Sequence, residues 1–428
     1  MKTLITCASL AAVGMTGVQA QSEKDAAPAK PFQVYASVRG FYDDNYTTGP
    51  DKVPASYPAG YMEKRDSWGF SVAPGVSLDV LRDQTSIRLG YDFDYRYYED
   101  RPDNNADMAH NFKLNLNHRF NEQFKLEVFD SFVIGQEPEL LNPADGQATQ
   151  VLRVSGDNIR NYGGVGLLAN FSEHWGSRVN YANTFYDYDL EGDGSYSALM
   201  DRMEHLATVD LRYQYNPTVL TLIGYQYGLI EQTSDDKLAL GSSLSADVRD
   251  RNSHYGFLGV DYDLSSQFST QLRGGVQYTE YPNAPAGNDD DFVSPYFDAL
   301  LMFRYSKDSR AQLGVKYGLS QTDVAVTSAS DSAITQDAES LTVYAAVVHR
   351  LTSRLYATAR AQWMMANFHG GVMDDEQDNY YGADVSLTYE INRYLAVEAG
   401  YLWDKLDSDI EVRRYSRNRV FAGIKATF

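Results

Sequence analysis

The chain has 428 residues, with 37 lysines and arginines against 58 aspartates and glutamates, so its formal net charge at neutral pH is −21. This acidic balance argues against nucleic acid as a partner, because phosphate binding requires clustered cations. The chain has one cysteine and no run of about 18 apolar residues beyond its first segment, which argues against a disulfide-rich domain and a helical membrane span.

The first twenty residues are typical of a secretory signal peptide. A basic start precedes an apolar stretch and a small-x-small ending at 18–20, which predicts cleavage before Gln21. A membrane anchor helix is the alternative, but the apolar stretch is short and is interrupted by Thr and Ser. Cys7 lies in this segment, so the mature chain is expected to contain no thiol.

The stretch from Ile87 to Tyr98 alternates large apolar residues with charged or small ones. Successive side chains on a strand point to opposite faces, so this segment predicts a strand with one apolar and one ionic face. The same alternation recurs at 67–80, 311–320 and 395–404, which indicates that it is a property of the whole chain.

Short polar breaks separate the alternating segments at regular intervals. Their centres lie near residues 83, 122, 173, 217, 266, 308, 352 and 392, about 44 residues apart on average. Each break predicts a hairpin turn, and two further strands, from about Phe32 to Tyr42 and from about Arg413 to Phe428, bring the total to about 18. Merging two weak terminal strands would give 16. The connections near 136–156 and 231–250 are long enough to fold inward.

This pattern predicts an all-β fold, a single transmembrane antiparallel up-and-down β-barrel with short periplasmic turns and long extracellular loops. The predicted organisation is a signal peptide at 1–20, a short periplasmic segment at 21–31 and the barrel at 32–428. Aromatic residues bracket most short turns, as Phe171 and Trp175 do, which is typical of the rings at a membrane boundary.

The last strand, VFAGIKATF, has apolar residues at every second position and ends in Phe428. This ending resembles the terminal signature of Gram-negative outer-membrane barrels, although Ala426 replaces the aromatic residue often found there. The run NRVFAGIKATF, together with the hairpin repeat, resembles the second β-barrel porin family over essentially the whole mature chain. The resemblance implies an outer-membrane location and a role for Phe428 as an assembly signal read by the barrel-insertion machinery.

Three patterns could indicate ligand sites. Residues 164–169 match the dinucleotide fingerprint as a string, but a turn follows where that site needs a helix. Residues 189–194 resemble the first half of a calcium loop, but Met200 stands where a glutamate is required. The acidic clusters 289–291 and 374–376 favour hydrated loop tips, with cation bridging to lipopolysaccharide as an alternative. We therefore expect no cofactor and no dedicated metal site.

The leading functional hypothesis is a channel for passive diffusion of small hydrophilic solutes or ions. A surface receptor or adhesin without an open pore is the alternative, and an outer-membrane hydrolase is a weaker one, because the seven histidines show no motif spacing. The expected partners are outer-membrane lipid and lipopolysaccharide, the insertion machinery and the solutes themselves.

The parity opposite to the apolar row predicts which charged residues line the pore. These are Arg88, Arg178, Arg273, Lys316, Arg360, Arg413, Arg417, Arg419, Lys425, Asp79, Asp210, Asp261 and Glu390. Mixed signs predict weak selectivity and a field across the lumen, and the last strand predicts a local basic stripe that attracts anions.

Overall fold

The computed structural model describes residues 31–53, 62–102, 104–136, 156–324 and 333–428, which form one sheet of 18 strands. The strands are β1 (Phe32–Asp43), β2 (Ser67–Leu81), β3 (Thr85–Tyr98), β4 (Ala106–Arg119), β5 (Phe124–Gly135), β6 (Asn158–Asn170), β7 (Trp175–Tyr188), β8 (Arg202–Asn216), β9 (Val219–Gln232), β10 (Arg251–Asp263), β11 (Phe268–Glu280), β12 (Asp291–Ser306), β13 (Ser309–Ser320), β14 (Asp337–Arg350), β15 (Leu355–His369), β16 (Gln377–Glu390), β17 (Leu395–Ser408) and β18 (Tyr415–Thr427). The predicted all-β barrel of 18 strands is confirmed, and the count of 16 is wrong. The expected signal peptide lies outside the described residues.

Each strand pairs antiparallel with its neighbours in sequence, and β18 pairs with β1 to close the barrel. The closing seam runs from Tyr35 opposite Thr427 to Asp43 opposite Arg419. Helix is confined to the long loops: a single α-helix, α1 (Tyr196–Met200), and short 3-10 helices at Ala246–Arg249, Gly371–Met373 and Glu411–Arg413 among the described residues. A closed sheet leaves no open edge, so every strand can satisfy its backbone groups within the wall.

Six of the eight short turns share one hydrogen-bonded arrangement. A side-chain oxygen at the start of the turn accepts from the backbone N–H groups two and three residues later, as Asn121 does from Gln123 and Phe124. The other five acceptors are Ser172, Asn216, Ser265, Thr352 and Asn392. Asn, Ser and Thr favour such turns, which explains why the polar breaks locate the hairpins so well.

Two prolines interrupt the ladder inside the wall. The pairing of β2 with β3 passes from Val72 opposite Tyr95 to Gly75 opposite Asp92 and omits Pro74. The pairing of β12 with β13 begins only at Phe297, so the upper part of β12, which contains Pro295, pairs with β11 alone. A proline has no N–H to donate, so each lies where the ladder is already broken.

Glycines on the inner face provide space for aromatic rings of the neighbouring strand. A Cβ added at Gly400 would lie 2.5 Å from the Phe421 ring, and one added at Gly314 would lie 2.1 Å from the Tyr344 ring. The same relation joins Phe41 to Gly69, Tyr35 to Gly75, Phe129 to Gly164 and Phe257 to Gly224. These rings therefore lie along the wall over the adjacent strand instead of projecting fully into the lumen.

The C-terminal residue contributes to barrel closure, which generates a first prediction. Phe428 and Val34 exchange two backbone hydrogen bonds, of 2.8 and 3.3 Å, and the Phe428 ring stacks on Tyr394 with centroids 6.0 Å apart. Deleting Phe428 removes these bonds and the ring, so we expect a large fall in folded barrel recovered from outer membranes. Replacing the adjacent Thr427 by Ser should have little effect, and equal yields for the two variants would contradict the prediction.

Candidate functional site

The two faces of the wall differ in chemistry, as β1 and β3 show. Val38 and Leu89 are 54% and 42% exposed, and their neighbours of opposite parity, Arg39 and Arg88, form ion pairs. In a closed barrel, the exposed apolar row faces the surroundings and the opposite row faces the interior. The candidate site is therefore the charged interior face.

A belt of alternating charge follows the interior face from β5 to β13. Its members are Lys125, Glu127, Arg178, Asp210, Arg212, Asp261, Arg273, Asp298 and Lys316. Arg178 lies 2.5 Å from Glu127, and Arg273 lies 2.6 Å from Asp261. Arg212 is 3.7 Å from Asp210 and 3.8 Å from Asp261, beyond hydrogen-bond distance. Asp298 stands opposite both Arg273 and Lys316 in the strand register.

Glycines on β6 and β10 provide space for side chains of the belt. Gly166 on β6 lies between Glu127 and Asn180 in the register, and a Cβ there would be 2.4 Å from the Asn180 amide oxygen and 3.8 Å from Arg178. A Cβ at Gly259 would be 2.6 Å from the Arg273 side chain. The glycine-rich run at 164–169 is therefore a strand segment that makes room for a ring and an ion pair, as its position before a turn indicates.

The rest of the interior wall carries ion pairs that are not part of the belt. Arg88 binds Asp79 at 2.6 Å and Arg360 binds Asp384 at 2.7 Å, each pair joining directly opposed residues of neighbouring strands. Glu390 is the last residue of β16, opposite Ala396 at the short-turn end, and lies apart from the belt.

The expected basic stripe on the last strand is largely neutralised by carboxylates. Arg417 binds Asp43 across the closing seam with contacts of 2.5 to 3.0 Å, and Arg419 lies 3.2 Å from Asp404. Lys425 instead places its ammonium 5.5 Å from the centre of the Tyr35 ring. The stripe is thus a row of ion pairs ending in a cation that lies over an aromatic face.

The structure corrects the expected position of Arg413. It belongs to the short 3-10 helix before β18 and not to the strand, because the backbone turns between the Ile410 carbonyl and the Arg413 N–H. Its guanidinium is buried between two carboxylates. Nη1 and Nη2 each lie 2.9 Å from an Asp323 oxygen, and Nη2 and Nε lie 2.8 and 3.1 Å from an Asp378 oxygen. Burial alone would lower the pKa of Arg413, but the two carboxylates outweigh it and raise the pKa.

Two more arginines at the long-loop end join segments that are far apart in sequence. Arg249, in the 233–250 loop, donates to the carbonyls of Leu199 and Thr322 and, at 3.4 Å, of Gln336. Burial lowers its pKa to about 10, so it stays charged at neutral pH. Arg251 binds Asp337 at 2.8 Å, and this carboxylate also accepts from the Tyr281 hydroxyl. These contacts hold the described ends of the 321–336 connection across the barrel mouth.

By their length, the connections 136–156 and 231–250 were the candidates for a loop that folds inward. The first lies almost entirely outside the described residues. The second contributes Arg249 and an apolar cluster in which Leu238 and Ala246 pack with Ile334. The involvement of the 321–336 connection was not foreseen, since loop packing has no signature in strand alternation. By contrast, Glu127, Arg212 and Asp298 were not among the predicted pore-lining residues. Their positions, alternating with the outward apolar residues of their strands, could have identified them.

The loop carboxylates that resembled part of a calcium site have structural contacts. Asp193 accepts from the Lys237 N–H at 3.0 Å, and Asp236 accepts from the Gly192 N–H at 2.8 Å. These bonds tie the 189–201 loop to the 233–250 loop. The other acidic clusters, at 289–291 and 374–376, contribute to a cavity of about 430 Å³ at the same end, with Phe292 and His369 among its lining residues.

Most histidines lie on the outer face and are bonded to a hydroxyl. Nδ1 of His110, His205, His254 and His349 lies 2.7 to 3.0 Å from a tyrosine hydroxyl oxygen, and that of His118 lies 2.8 Å from Thr85. The apolar residues of the same parity on these strands are exposed, so these imidazoles belong to the outward row.

Comparison with known protein families identifies the family to which this chain belongs. A sequence profile of the family described as Putative beta-barrel porin 2 matches residues 174–428, which is more than half of the chain and includes β7 to β18. The chain belongs to this family of β-barrel porins. It is therefore an outer-membrane barrel, with its short turns on the periplasmic side and its long loops outside. A search of curated proteins gave no match.

Three solved structures illustrate the similarity of the chain to known barrels at low sequence identity. They include a BenF-like porin from Pseudomonas fluorescens Pf-5, at 12% identity and a TM-score of 0.44, and OpdK from Pseudomonas aeruginosa, at 11% and 0.43. OccAB4 of Acinetobacter baumannii is 12% identical, with a TM-score of 0.42. Each alignment covers 93% of this chain and 99% of the other.

Within the part of the chain that the structure describes, none of the helices has the length and apolar character of a membrane span.

The buried contacts of Arg413 generate a second prediction. Arg413→Ala would leave Asp323 and Asp378 close together and without their cation, so we expect a loss of about 3–5 kcal/mol in the free energy of unfolding. Urea titration of the folded barrel in detergent measures this loss. The control is Lys405→Ala, which removes an exposed pair with Asp407 and should cost about 0–1 kcal/mol. Equal costs for the two variants would contradict the assignment.

Asp201, which follows α1, generates a prediction about pH. Burial raises its pKa to about 6, against hydrogen bonds from Ser197 and the Tyr188 N–H that lower it. Because the folded state holds this proton more tightly than the unfolded chain, the stabilisation is complete below about pH 4 and is lost as the pH rises through about 6.

We therefore expect the α1 amides to exchange with deuterium more slowly at pH 5 than at pH 7.5, after correction for intrinsic rates. Asp201→Asn should remove this difference. A difference that persists in the variant would assign the pH dependence to another group.

Proposed function

We propose that the protein is an outer-membrane channel for passive diffusion of small hydrophilic solutes or ions. The observation that carries this proposal is the charged interior face of a closed barrel with 18 strands. A barrel of this size is too wide for its wall side chains to fill, so its interior is expected to hold water. Membership in a family of β-barrel porins supports the same function.

The pairing of interior charges supports weak ion selectivity. Arginines of the belt and of β18 lie beside carboxylates, so the wall presents alternating local fields instead of one sign. Such a wall favours polar solutes that can exchange water for contacts with both signs. The expected basic stripe is reduced to a modest effect centred on Lys425, because Arg417 and Arg419 each have an acidic partner.

Contacts of five of the seven histidines support the proposal that the chain is not an enzyme. A hydrolytic triad needs an imidazole beside a nucleophile and facing a site. The imidazoles of the outward row instead bond to tyrosine or threonine hydroxyls on the face that meets lipid.

Conductance of the purified barrel in planar bilayers tests the function directly. We expect discrete steps that grow with salt concentration and a small reversal potential in a salt gradient. Folded barrel that inserts without any conductance would contradict the channel and favour the receptor alternative. The contacts of Arg249 and Arg413 at the mouth make a reduced conductance relative to an unobstructed barrel the expected result.

Selectivity is tested by variants on β18. Replacing Arg417 and Arg419 together by Ser removes the cations beside Asp43 and Asp404, so we expect the reversal potential to move toward cation selectivity. The matched control removes a whole pair, Arg419→Gln with Asp404→Asn, and should leave the potential nearly unchanged because the net charge is conserved. An unmoved potential in the first variant would show that these residues lie outside the conduction path.

A further inference from the structure

The cavity of about 430 Å³ at the extracellular end lies between the upper ends of β12, β14 and β15. Its lining includes Phe292, Glu339 and His369, which lie within three residues of the upper ends of these strands. Between β12 and β14 the sheet contains β13, which pairs with β12 only from Phe297 downward. Above that level, the Ser294 hydroxyl on β12 donates to Glu339 on β14 at 2.6 Å. A cavity of this volume is in the range of small-molecule sites, roughly 300–1,000 Å³.

The lining of the cavity is acidic and contains no balancing cation. Four carboxylates line it, and no lysine or arginine does. Asp289 and Asp375 are exposed and form no ion pair within the described part of the chain. Arg413, whose guanidinium lies 6.0 Å from the centre of the Phe368 ring, is already paired with two other carboxylates. The electrostatic field of the cavity therefore favours a positively charged occupant.

Two amide groups that line the cavity already use their donors within the protein. Asn288 Nδ2 donates to the Ile334 carbonyl at 2.7 Å and to Gln336 Oε1 at 3.0 Å. Gln336 Nε2 donates in turn to the Asp289 carbonyl at 3.3 Å. A ligand in the cavity therefore meets more acceptors than donors. An ammonium group matches this lining, because it donates hydrogen bonds and accepts none.

His369 adds an acceptor and an apolar neighbour to the lining. Its Nδ1 lies 3.7 Å from Oδ1 of the fully buried Asp337, and neither atom has a hydrogen-bond partner among the described residues. The other oxygen of Asp337 is held by Arg251 and the Tyr281 hydroxyl. A carboxylate beside Nδ1 favours the tautomer with the proton on that nitrogen, so Nε2 is an acceptor. The imidazole also contacts the Phe292 ring, with centroids 4.3 Å apart.

We propose that this cavity binds a small organic cation, with an ammonium group among the carboxylates and an apolar body against Phe292. A bare metal ion fits less well, since no three acidic or histidine side chains of the described ranges converge as a metal site requires. An anion would be repelled by the carboxylates. Because the cavity lies at the extracellular mouth, binding to it does not depend on conduction through the barrel.

Titration calorimetry of the folded barrel in detergent tests the site with two probes of similar shape and opposite charge, phenethylammonium and phenylacetate. At low ionic strength we expect the cation to bind and the anion not to bind. Equal binding of the two probes, or no binding of phenethylammonium, would overturn the proposal. Magnesium chloride should weaken binding only as much as sodium chloride of the same ionic strength does. Displacement of the probe by an equimolar amount of Mg²⁺ would indicate a metal site and would also overturn it.

A double variant locates the binding in the cavity. Asp289→Asn with Asp375→Asn removes two lining charges at nearly constant size, and asparagine tolerates the φ of 67° at residue 375. We expect the affinity for phenethylammonium to fall about tenfold or more. The matched control, Glu231→Gln with Asp235→Asn, removes the same charge from exposed residues outside the cavity and should change the affinity less than about twofold. An unchanged affinity in the first variant, or an equal fall in both, would contradict the site.

Discussion

Satisfaction of backbone hydrogen bonds within the bilayer is the constraint on which this structure depends. A polar main-chain group in hydrocarbon has no water to bond, so a sheet can cross the membrane only if its first and last strands meet. Here β1 and β18 meet along nine paired positions, and Phe428 extends the seam through its bonds with Val34. A closed sheet has an inside and an outside. Alternate residues of each strand therefore face the interior, where they can meet solute, or the surroundings, where they meet lipid.

Sequence alone predicted the number of strands because two local signals repeat in each hairpin. Alternation sets the faces, and an Asn, Ser or Thr at the start of most short turns sets the turn, as Asn121 and Ser172 show. Pairs such as Arg88 with Asp79 are also local, because a tight turn fixes which residues stand opposite each other. The pairing of Arg178 with Glu127 is less visible, since it crosses β6, where a Cβ at Gly166 would lie 2.4 Å from the Asn180 oxygen that accepts from Arg178.

The barrel mouth could not be predicted in the same way. Arg251 and Asp337 lie 86 residues apart, and Arg413 and Asp323 lie 90 apart, so their meeting depends on how several loops fold together. A buried arginine needs carboxylate or carbonyl partners, which makes these contacts specific in geometry even though the loops have no periodic pattern. Arg249 shows the same rule, since three carbonyls from two other connections surround its guanidinium.

Neighbouring residues on one strand serve separate purposes because the strand period is two. On β5, Glu127 and Phe129 face the interior, whereas Asp130 faces outward, so a change at Asp130 alters the outer surface and leaves the charged belt intact. Gly164 and Gly163 divide β6 in the same manner, one accommodating the Phe129 ring inside and the other the Asp130 carboxylate outside. At these positions of β5 and β6, changes to the interior lining and changes to the outer surface are therefore separable, because neighbouring residues lie on opposite faces.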